Sequence, residues 1–402
     1  MKTILMILPE FGYGGAEKSF SSLSIELARD YNVKIVVFNL KQVPVYAIGG
    51  EVLSLNTYSS NNWFIKLHNL HKRVKQLREF KKQLKPAVSI SFLEGADYIN
   101  ILSSKEETTV LSIRGSKLFD QNISSLTGFI RKRILIPYLY LKASHIITLS
   151  KGIEEELLET YPGLKKSRVD TIYNFIDEQK VITMANEVLS KKWAAFFDKY
   201  KVILISSRLA VEKGIHLFLP VFAEIAKQLT DIRLVIIGDG EYLELIQQKC
   251  RELSLTYDDI IDPNAPSNTK VSFLGYQSNP FKWIRNSDIF VSASLHEGFG
   301  NSILEASICG ATIIASDCPY GPREIIAKRS FKENIDYPYQ TNKSFLLPII
   351  SDFKTSELWI QTILNILTKN GESGKLNNAP SIELSRFSKA EFLNKWKIVL
   401  EN

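Results

Sequence analysis

Residues 201–214 have the sequence KVILISSRLAVEKG, in which an apolar run leads into a loop that carries two cations. Positions 202–205 are all apolar, as expected of a parallel strand covered by helices on both faces. Similar runs alternate with helical patterns along the chain, which indicates parallel sheets built from βαβ units. The predicted strands are 2–8, 33–38, 87–92, 108–113, 144–149, 168–172, 201–206, 232–237, 271–274, 288–292 and 311–315. So many strands fit two sheets better than one.

The best domain boundary lies near residues 173–177, where the last strand of the first half ends and a polar helix begins. The charge changes there as well. Residues 1–174 contain 24 Lys and Arg against 16 Asp and Glu, a net of +8, whereas 175–402 contain 26 against 27, a net of −1. This asymmetry indicates that the first half meets an anionic surface, substrate or nucleic acid. Segments 255–270 and 328–345 lack periodicity and are predicted to be surface loops.

The cysteines and the N-terminus indicate a protein of a reducing compartment. Cys250, Cys309 and Cys318 are odd in number and show no CxxC spacing, which argues against a disulfide framework or a zinc site. The apolar stretch from Met1 to Leu8 is short and lacks a cleavage site, so we interpret it as a first strand. No run of about 18 apolar residues is present, and no spanning helix is expected.

The first candidate site is the stretch from Gly12 to Ser19, which follows the first predicted strand. Glycines at such a turn let the backbone approach a ligand, and the free amides of a helix start attract anions. A P-loop and a dinucleotide fingerprint both require glycine where Glu17 stands. A tight strand-to-helix turn without a ligand explains the same residues, so both interpretations stay open.

The second candidate is the pair Arg208 and Lys213 behind the strand 201–206. In an open α/β sheet, ligands bind outside the carboxyl ends of the strands. Arg offers a fork for phosphate oxygens, and Lys offers a point charge. A solvated loop is the alternative. However, a cation near a helix N-terminus is electrostatically unfavourable, which favours a bound anion.

The third candidate, residues 292–306, runs from a strand through a glycine-rich loop into a helix and carries two carboxylates. Glu305 completes the pattern Ser302-x-x-Glu305, a capping box that stabilises a helix start without any ligand. Glu297 lies in the loop and has no such structural explanation. His296 could act as an acid or base, although a single loop histidine is more often solvated.

A fourth stretch, from Asp317 to Ile325, forms a rigid turn that presents Glu324. All four stretches fall at predicted strand ends, and three belong to one domain. Together they predict a crevice for a diphosphate compound, with carboxylates available for sugar hydroxyls.

This set of motifs resembles the family-four retaining glycosyltransferases of bacteria, in order and spacing over nearly the whole chain. The matching pieces are Gly14–Glu17, Tyr173–Asp177, Ser207–Leu209, Glu212–Gly214, Gly238–Gly240, Phe273–Gly275, Glu297–Ala306 and Gly321–Glu324. The resemblance implies an α/β protein of the GT-B fold, with two Rossmann-like parallel-sheet domains facing across a cleft. Residues 1–173 would form the acceptor-side domain, with a C-terminal helix at 388–402 packing back on it. Residues 174–387 would form the nucleotide-sugar-binding domain.

The resemblance also implies residue roles. Arg208 and Lys213 would hold the donor diphosphate and stabilise the departing nucleotide in place of a metal ion. Glu297 would contact the transferred sugar, and Glu305 would bind the ribose hydroxyls. The donor-binding residues would be Gly15, Ser207, Gly298, Phe299, Gly300, Asn301, Ser302 and Glu305. Neither a metal nor a cofactor is implied, because the nucleotide sugar, expected to be a UDP-sugar, is a co-substrate.

Arg114 departs from the family pattern, because many members carry a functional histidine after the strand that matches 108–113. Arg114 and Glu17 are the candidate acceptor contacts, and Arg114 would meet an anionic part of the acceptor or donor. The acceptor implied is a glycan or a lipid-diphosphate-linked glycan.

Two basic stretches predict contact with an anionic membrane. Residues 63–85 place eight Lys and Arg between apolar positions, and 129–142 place Arg131, Lys132 and Arg133 beside apolar residues. The apolar positions of the first stretch are expected to pack on the sheet. A cytoplasmic enzyme, peripheral on the inner face of the cell membrane, is therefore expected.

Other functions fit parts of this pattern less well. A nucleotide-sugar epimerase or a phosphorylase could share the fold, but no motif marks the cofactor lysine of a phosphorylase. No recognition motif or aromatic platform supports nucleic-acid binding. A non-catalytic sugar-binding protein would not need both glutamates and both cations.

Overall fold

A computed structural model of the protein describes residues 1–12, 14–40, 44, 46–58, 60, 62–117, 126–166, 168–258, 266, 268–369 and 380–401. The chain forms two compact units. Unit 1 comprises Met1–Asn174 and Ala390–Asn402, and unit 2 comprises Phe175–Lys389. Unit 1 is thus assembled from two separated stretches of sequence. Within the described ranges, no helix has the length and apolar character needed to cross a membrane.

The described part of unit 1 contains a seven-stranded parallel sheet. Its strands are β1 (Thr3–Leu8), β2 (Asn32–Val37), β3 (Glu51–Ser54), β4 (Val88–Phe92), β5 (Thr108–Ile113), β6 (His145–Thr148) and β7 (Arg168–Thr171). They lie in the order β3-β2-β1-β4-β5-β6-β7. The direction of the order changes between β1 and β4, and ligands of open α/β sheets bind beside such a switch point.

The helices of unit 1 cover this sheet. They are α1 (Gly15–Leu27), α2 (Trp63–Leu84), α3 (Glu94–Leu102), α4 (Leu126–Ile130), α5 (Ile136–Tyr140), α6 (Lys151–Thr160) and, after unit 2, α15 (Lys389–Glu401). A π-helical turn, Arg131–Leu135, joins α4 to α5, and a 3-10 turn, Pro162–Lys166, follows α6. Polar side chains start two of the helices: Asn62 accepts from the Phe64 amide and Ser150 from the Ile153 amide.

The described part of unit 2 contains an eight-stranded sheet. Its strands are β8 (Lys201–Ser206), β9 (Ile232–Ile237), β10 (Tyr257–Asp258), β11 (Val271–Phe273), β12 (Ile289–Ser292), β13 (Thr312–Ser316), β14 (Tyr339–Thr341) and β15 (Ser344–Leu347). They lie in the order β10-β11-β9-β8-β12-β13-β15-β14. Only β14 pairs in the antiparallel sense among these described strands. The loops after β8, β12 and β13 therefore leave the same edge of the sheet.

The helices of unit 2 alternate with its strands. They are α7 (Glu178–Ala185), α8 (Lys191–Lys199), α9 (Ile215–Gln228), α10 (Leu243–Glu252), α11 (Phe281–Asn286), α12 (Asn301–Ile308), α13 (Pro322–Ile326) and α14 (Phe353–Lys369). Short 3-10 turns lie at Val211–Lys213 and Ser385–Phe387. Every residue of β9 is buried, as expected of a strand between two helical layers.

All eleven predicted strands are present, within one or two residues of the predicted bounds. The interpretation of 255–270 and 328–345 as loops alone was wrong, because β10, β14 and part of β15 lie there. Strand β3 was also missed. The two shortest of these, β10 and β14, are edge strands of two and three residues, too short for a sequence period to show. The alternating pattern therefore predicted the centres of both sheets and failed near their edges.

Candidate active site

Three loops of unit 2 are joined by backbone hydrogen bonds at the carboxyl ends of neighbouring strands. They follow β8, β12 and β13, which are adjacent in the sheet. The Leu295 amide donates to the Glu212 carbonyl at 2.8 Å, which joins the first loop to the second. The Glu297 amide donates to the Pro319 carbonyl at 2.7 Å, and the Tyr320 amide donates to the Glu297 carbonyl at 2.8 Å. Glu297 is thus held by its own backbone on a fixed platform.

The side chain of Glu297 forms the centre of this platform. Its Oε1 atom accepts a hydrogen bond from Lys213 Nζ at 2.7 Å and another from Ser294 Oγ at 2.7 Å. The side chains of Lys213 and Glu297 are 20% and 11% exposed, so the ion pair is largely shielded but reachable. The structure therefore brings together two of the three predicted catalytic residues. Sequence reasoning missed Ser294, although it stands only three positions before Glu297.

Arg208 lies in the first loop, where its guanidinium pairs with the carboxylate of Glu212, four positions along the same loop. The Arg208 side chain is 68% exposed, so this ion pair contributes little to stability and is easily exchanged for another anion. Ser207, the residue before it, donates its backbone amide to the Ile237 carbonyl at 3.0 Å. Its Oγ atom is buried without a hydrogen-bond partner among the described residues.

Glycines at positive φ allow these loops, and the loop after β9, to approach one another. A Cβ on Gly214 (φ +63°) would lie 2.0 Å from the Ala293 carbonyl oxygen, and one on Gly238 (φ +138°) would lie 1.8 Å from the Ser207 oxygen. A Cβ on Gly321 (φ +93°) would lie 1.9 Å from the Phe299 oxygen. Real Cβ atoms essentially never come within 3.0 Å of such atoms. The glycines of these motifs are therefore required for loop-to-loop packing.

The N-terminus of α12 lies next to Glu297. Gly300 precedes the helix in the left-handed conformation (φ 105°) and supplies no side-chain cap. The predicted capping box was wrong, because the helix begins at Asn301 and Ser302 already lies inside it. The amides of Asn301 and Ser302 thus belong to the first turn of α12. Glu305 is partly exposed one turn further on, and a capping function does not explain it.

A buried ion pair between Asp317 and Arg323 stabilises the loop after β13. The Nε–H of Arg323 is shared between the two carboxylate oxygens of Asp317, at 2.9 and 3.0 Å, and Nη1 donates to the Phe331 carbonyl at 2.9 Å. Glu324 is only 5% exposed, so the rigid turn does not present it to solvent as predicted. Its carbonyl accepts from Arg386 at 2.9 Å. The Asp317–Arg323 pair is best explained as a support for the loop that contacts Glu297.

In unit 1, Gly15 is the first residue of α1, behind β1. The carboxylate of Glu17 folds back over the turn: a Cβ on Gly12 would lie 3.3 Å from its Oε1 atom, and one on Gly14 would collide with its Oε2 atom. A carboxylate here interacts favourably with the positive end of the helix dipole. The turn therefore already holds one negative group of its own chain.

Arg114 follows β5 and lies against the end of β4, where its guanidinium carbon is 4.4 Å from the centre of the Phe92 ring. Nη1 donates to Asn174 Oδ1 at 3.2 Å, and the same oxygen accepts from Ser19 Oγ at 2.7 Å. Nε and Nη2 are buried without a partner among the described residues, and burial lowers the pKa of Arg114 to about 9. A buried guanidinium that lacks a carboxylate is costly, which favours an anionic ligand group nearby.

A second network joins Lys117 and Arg131 to Glu94. Glu94 accepts from Arg131 Nε at 2.5 Å and Nη2 at 2.6 Å, and from Lys117 at 3.2 Å. Burial alone would raise the pKa of Glu94, but Arg131 and Lys117 lower it to about 2. Next to it, burial raises the pKa of Asp97 to about 7. Arg131 is therefore a structural cation, contrary to its predicted place among the membrane-facing residues.

No group of three or more His, Cys, Asp and Glu suited to a metal ion occurs in the part of the chain that the structure describes.

Comparisons with known proteins agree with this geometry. Residues 189–336, which include Arg208, Lys213, Glu297 and Glu305, match the family model of glycosyl transferases group 1. An uncharacterized glycosyltransferase of Methanocaldococcus jannaschii is 27% identical over 287 residues, 68% of this chain and 68% of that protein. An N-acetylgalactosamine-N,N'-diacetylbacillosaminyl-diphospho-undecaprenol 4-alpha-N-acetylgalactosaminyltransferase of Campylobacter jejuni is 26% identical over 343 residues, 82% of this chain and 85% of that protein.

The fold is shared with solved structures. HepE of Anabaena, solved in complex with UDP and glucose, superposes with a TM-score of 0.71 at 18% identity, and 100% of each chain is covered. The two parallel-sheet domains are those of the GT-B fold, as predicted. The chain is therefore a glycosyltransferase of the GT-B fold, in which residues 189–336 match the family model of glycosyl transferases group 1.

Proposed function

We propose that the chain transfers the sugar of a UDP-sugar to a lipid-diphosphate-linked glycan, with retention at the anomeric carbon and without a metal ion. The observation that carries the proposal is the cluster at the ends of β8 and β12. It combines the exposed cation of Arg208 with a Lys213 that is hydrogen-bonded to the Glu297 carboxylate.

The donor diphosphate fits the two cations. Lys213 has three N–H groups and uses one on Glu297 at 2.7 Å, so the others remain available for phosphate oxygens. Arg208 can exchange Glu212 for the diphosphate, because exposed ion pairs contribute only about 0–1 kcal/mol. The Ser302 amide, in the first turn of α12, adds a donor for the same anion. Positive groups fixed in this way stabilise the charge that grows on the departing UDP, which is the task of a metal ion in other transferases.

Glu297 is suited to the transferred sugar. Lys213 and Ser294 both bind Oε1, which leaves Oε2 for a sugar hydroxyl. In the transfer step, the bond from the anomeric carbon to the phosphate oxygen breaks while the acceptor oxygen bonds to the same carbon. The acceptor proton passes to the departing phosphate oxygen. Attack from the face of the leaving group retains the configuration, and no covalent nucleophile is required.

Two similar proteins support the choice of substrates. The HepE structure contains UDP and glucose, and the name of the Campylobacter relative specifies a diphospho-undecaprenol acceptor. The net charge of +8 on residues 1–174 suits such an anionic acceptor. The buried guanidinium of Arg114, which has no carboxylate partner among the described residues, is its candidate contact.

The donor and the metal requirement are tested together. A panel of nucleotide sugars is incubated with enzyme in excess chelator, and nucleoside diphosphate release is measured. We expect release from a UDP-sugar at an unchanged rate. Loss of activity that magnesium or manganese restores would contradict the metal-free proposal. NMR of the product linkage tests retention, and an inverted linkage would refute it. Conversion of the donor sugar without transfer would indicate an epimerase instead.

The contribution of Arg208 is tested by Arg208→Ala, with Arg329→Ala as the matched control because Arg329 is exposed and lies outside the three loops. Loss of a transition-state donor costs about 3–4 kcal/mol, so turnover should fall by about 10²–10³. The control should retain its turnover. Equal turnover in the two variants would show that Arg208 is not part of the site.

Peripheral membrane binding is part of the proposal. Phe64, Ile65 and Leu67 near the start of α2 are 66%, 46% and 57% exposed, next to the exposed Lys66. Exposed apolar groups beside cations are typical of an interfacial helix. Sedimentation with anionic and with neutral vesicles tests it. We expect binding to the anionic vesicles that weakens with salt, and equal, negligible binding to both would contradict the proposal.

A further inference from the structure

A pocket in unit 1 lies between the helical segment 131–142 and the turn at Pro162–Lys166. Its volume is about 490 Å³, within the usual range of small-molecule sites. Lys132 and Arg133 line it, together with apolar groups that include Leu141 and Leu164. No carboxylate occurs among the described residues that line it. The pocket therefore combines cations with an apolar wall.

The chain builds this pocket from two local irregularities. Arg131–Leu135 is a π-helical turn, a rare element that frequently occurs at functional sites. Pro137 follows it and has no N–H for the Arg133 carbonyl. On the other wall, Gly163 lies close to Leu141, because a Cβ built on Gly163 would be in ordinary van der Waals contact, 3.7 Å, with Leu141 Cδ2. The two walls thus meet at these two residues.

The two cations of the pocket, Lys132 and Arg133, differ from the preceding Arg131 in their ion pairing. Arg131 is bound to Glu94, whereas neither Lys132 nor Arg133 makes an ion pair with any residue that the structure describes. Tyr161 is 6% exposed, and its hydroxyl has no hydrogen-bond partner within the described ranges. Burial raises the pKa of Tyr161 to about 12, so the hydroxyl stays a neutral donor near neutral pH. The two cations of the pocket are therefore available to an acceptor such as phosphate.

An exposed apolar stripe leads to the same pocket. Ile130, Ile134, Tyr138 and Leu141 recur at helical spacing and are 38%, 56%, 63% and 49% exposed. Lys142 lies over the Tyr138 ring at 4.2 Å, which adds a cation to the stripe. An apolar stripe that ends in a basic pocket matches a molecule with a hydrocarbon chain and an anionic head.

We propose that this pocket binds the phosphate-bearing head of a membrane lipid, with its proximal hydrocarbon along the stripe Ile130–Leu141. The inference rests on the proposed function, in which the acceptor glycan is carried by a lipid diphosphate, and it assigns the lipid end of that acceptor to unit 1. The site is distinct from Arg114, which is placed beyond β5 and contacts none of the pocket residues among its described partners.

Calorimetric titration with farnesyl diphosphate, in saturating UDP, tests the pocket. UDP occupies the donor site, so that the lipid probe is confined to other sites. Farnesol and inorganic diphosphate are the two separate arms, and both should bind much more weakly than farnesyl diphosphate. Farnesol that binds equally well would reduce the pocket to an apolar site. Inorganic diphosphate that binds equally well would show a phosphate site without a lipid.

Three variants complete the experiment. Each cation beside an anionic head is worth roughly fivefold in affinity, so Lys132→Ala with Arg133→Ala should weaken farnesyl diphosphate binding about 30-fold. Leu141→Asp, at a half-exposed position that tolerates a charge, should weaken it as well. Lys191→Ala with Lys192→Ala removes two exposed cations of unit 2 and should have no effect. Wild-type affinity for farnesyl diphosphate in the first two variants would overturn the proposal that this pocket binds a lipid phosphate.

The two proposals fail in different ways. If the pocket variants bind farnesyl diphosphate like the wild type while UDP-sugar turnover is intact, only the proposal about the pocket is refuted. Absence of turnover with every nucleotide sugar would overturn the proposed function. UDP affinity, measured in the same titrations, should be unchanged in all variants.

Discussion

Gly214→Ala tests whether the contact between the first two loops sets the geometry of the catalytic ion pair. The new Cβ would lie 2.0 Å from the Ala293 carbonyl oxygen, and contacts below 3.0 Å essentially do not occur. The loops must therefore separate by about 1 Å. Glu297 Oε1 and Lys213 Nζ, now 2.7 Å apart, would move beyond good hydrogen-bond distance. A misplacement of about 1 Å can cost about 10²-fold in rate, which is the expected loss of turnover.

The control for this experiment is Gly275→Ala. Gly275 has nearly the same backbone conformation (φ +61° against +63°), but a Cβ added there would meet no atom of the described residues within 4 Å. Both variants carry the left-handed strain of about 1–2 kcal/mol, and only Gly214→Ala carries the collision. Release of UDP from the donor gives turnover, and thermal unfolding gives stability. Turnover of Gly214→Ala within about threefold of Gly275→Ala would refute the reasoning.

Three further predictions concern single side chains. Ser294→Ala removes one hydrogen bond to the Glu297 carboxylate, worth about 1.5 kcal/mol, so turnover should fall about tenfold at unchanged UDP affinity; kinetics and titration check this. Asp97→Asn should remove a pH dependence of the free energy of unfolding. Because the pKa of Asp97 is raised to about 7 in the folded protein, the contribution of Asp97 to that free energy is complete below about pH 4 and is lost as the pH rises through 7. Denaturant unfolding at pH 5 and pH 8 should show the wild type, but not the variant, losing stability. Arg114→Met removes a buried cation that has no carboxylate partner in the described structure, so the melting temperature of the protein should rise. The Michaelis constant of the anionic substrate should increase at least about tenfold. A lowered melting temperature would indicate that Arg114 has a structural role.

The sequence predicted the centres of both sheets because buried parallel strands are apolar at nearly every position, as in Val202–Ile205. Edge strands such as Tyr257–Asp258 carry no such signal. The sequence also indicated that Lys213 and Glu297 would lie at neighbouring strand ends, and they do form an ion pair. Their roles in transfer remain predictions.

Other features depend on contacts between distant positions. Arg131 looked equivalent to Lys132 and Arg133, because its partner Glu94 is 37 positions away. The capping-box pattern at Ser302 failed because the left-handed Gly300 is the N-cap, two residues earlier. A local pattern predicts a local structure only where no neighbouring loop competes for the same residues.

The return of the chain to unit 1 has a consequence for protein synthesis. Ala390 emerges from the ribosome 216 residues after Asn174, which takes about 10–40 s at 5–20 residues per second. Phe392, Trp396, Val399 and Leu400, the buried face of α15, arrive only then. The surface of unit 1 that α15 covers therefore stays exposed while the whole of unit 2 is translated. The N-terminal unit is the last to be completed.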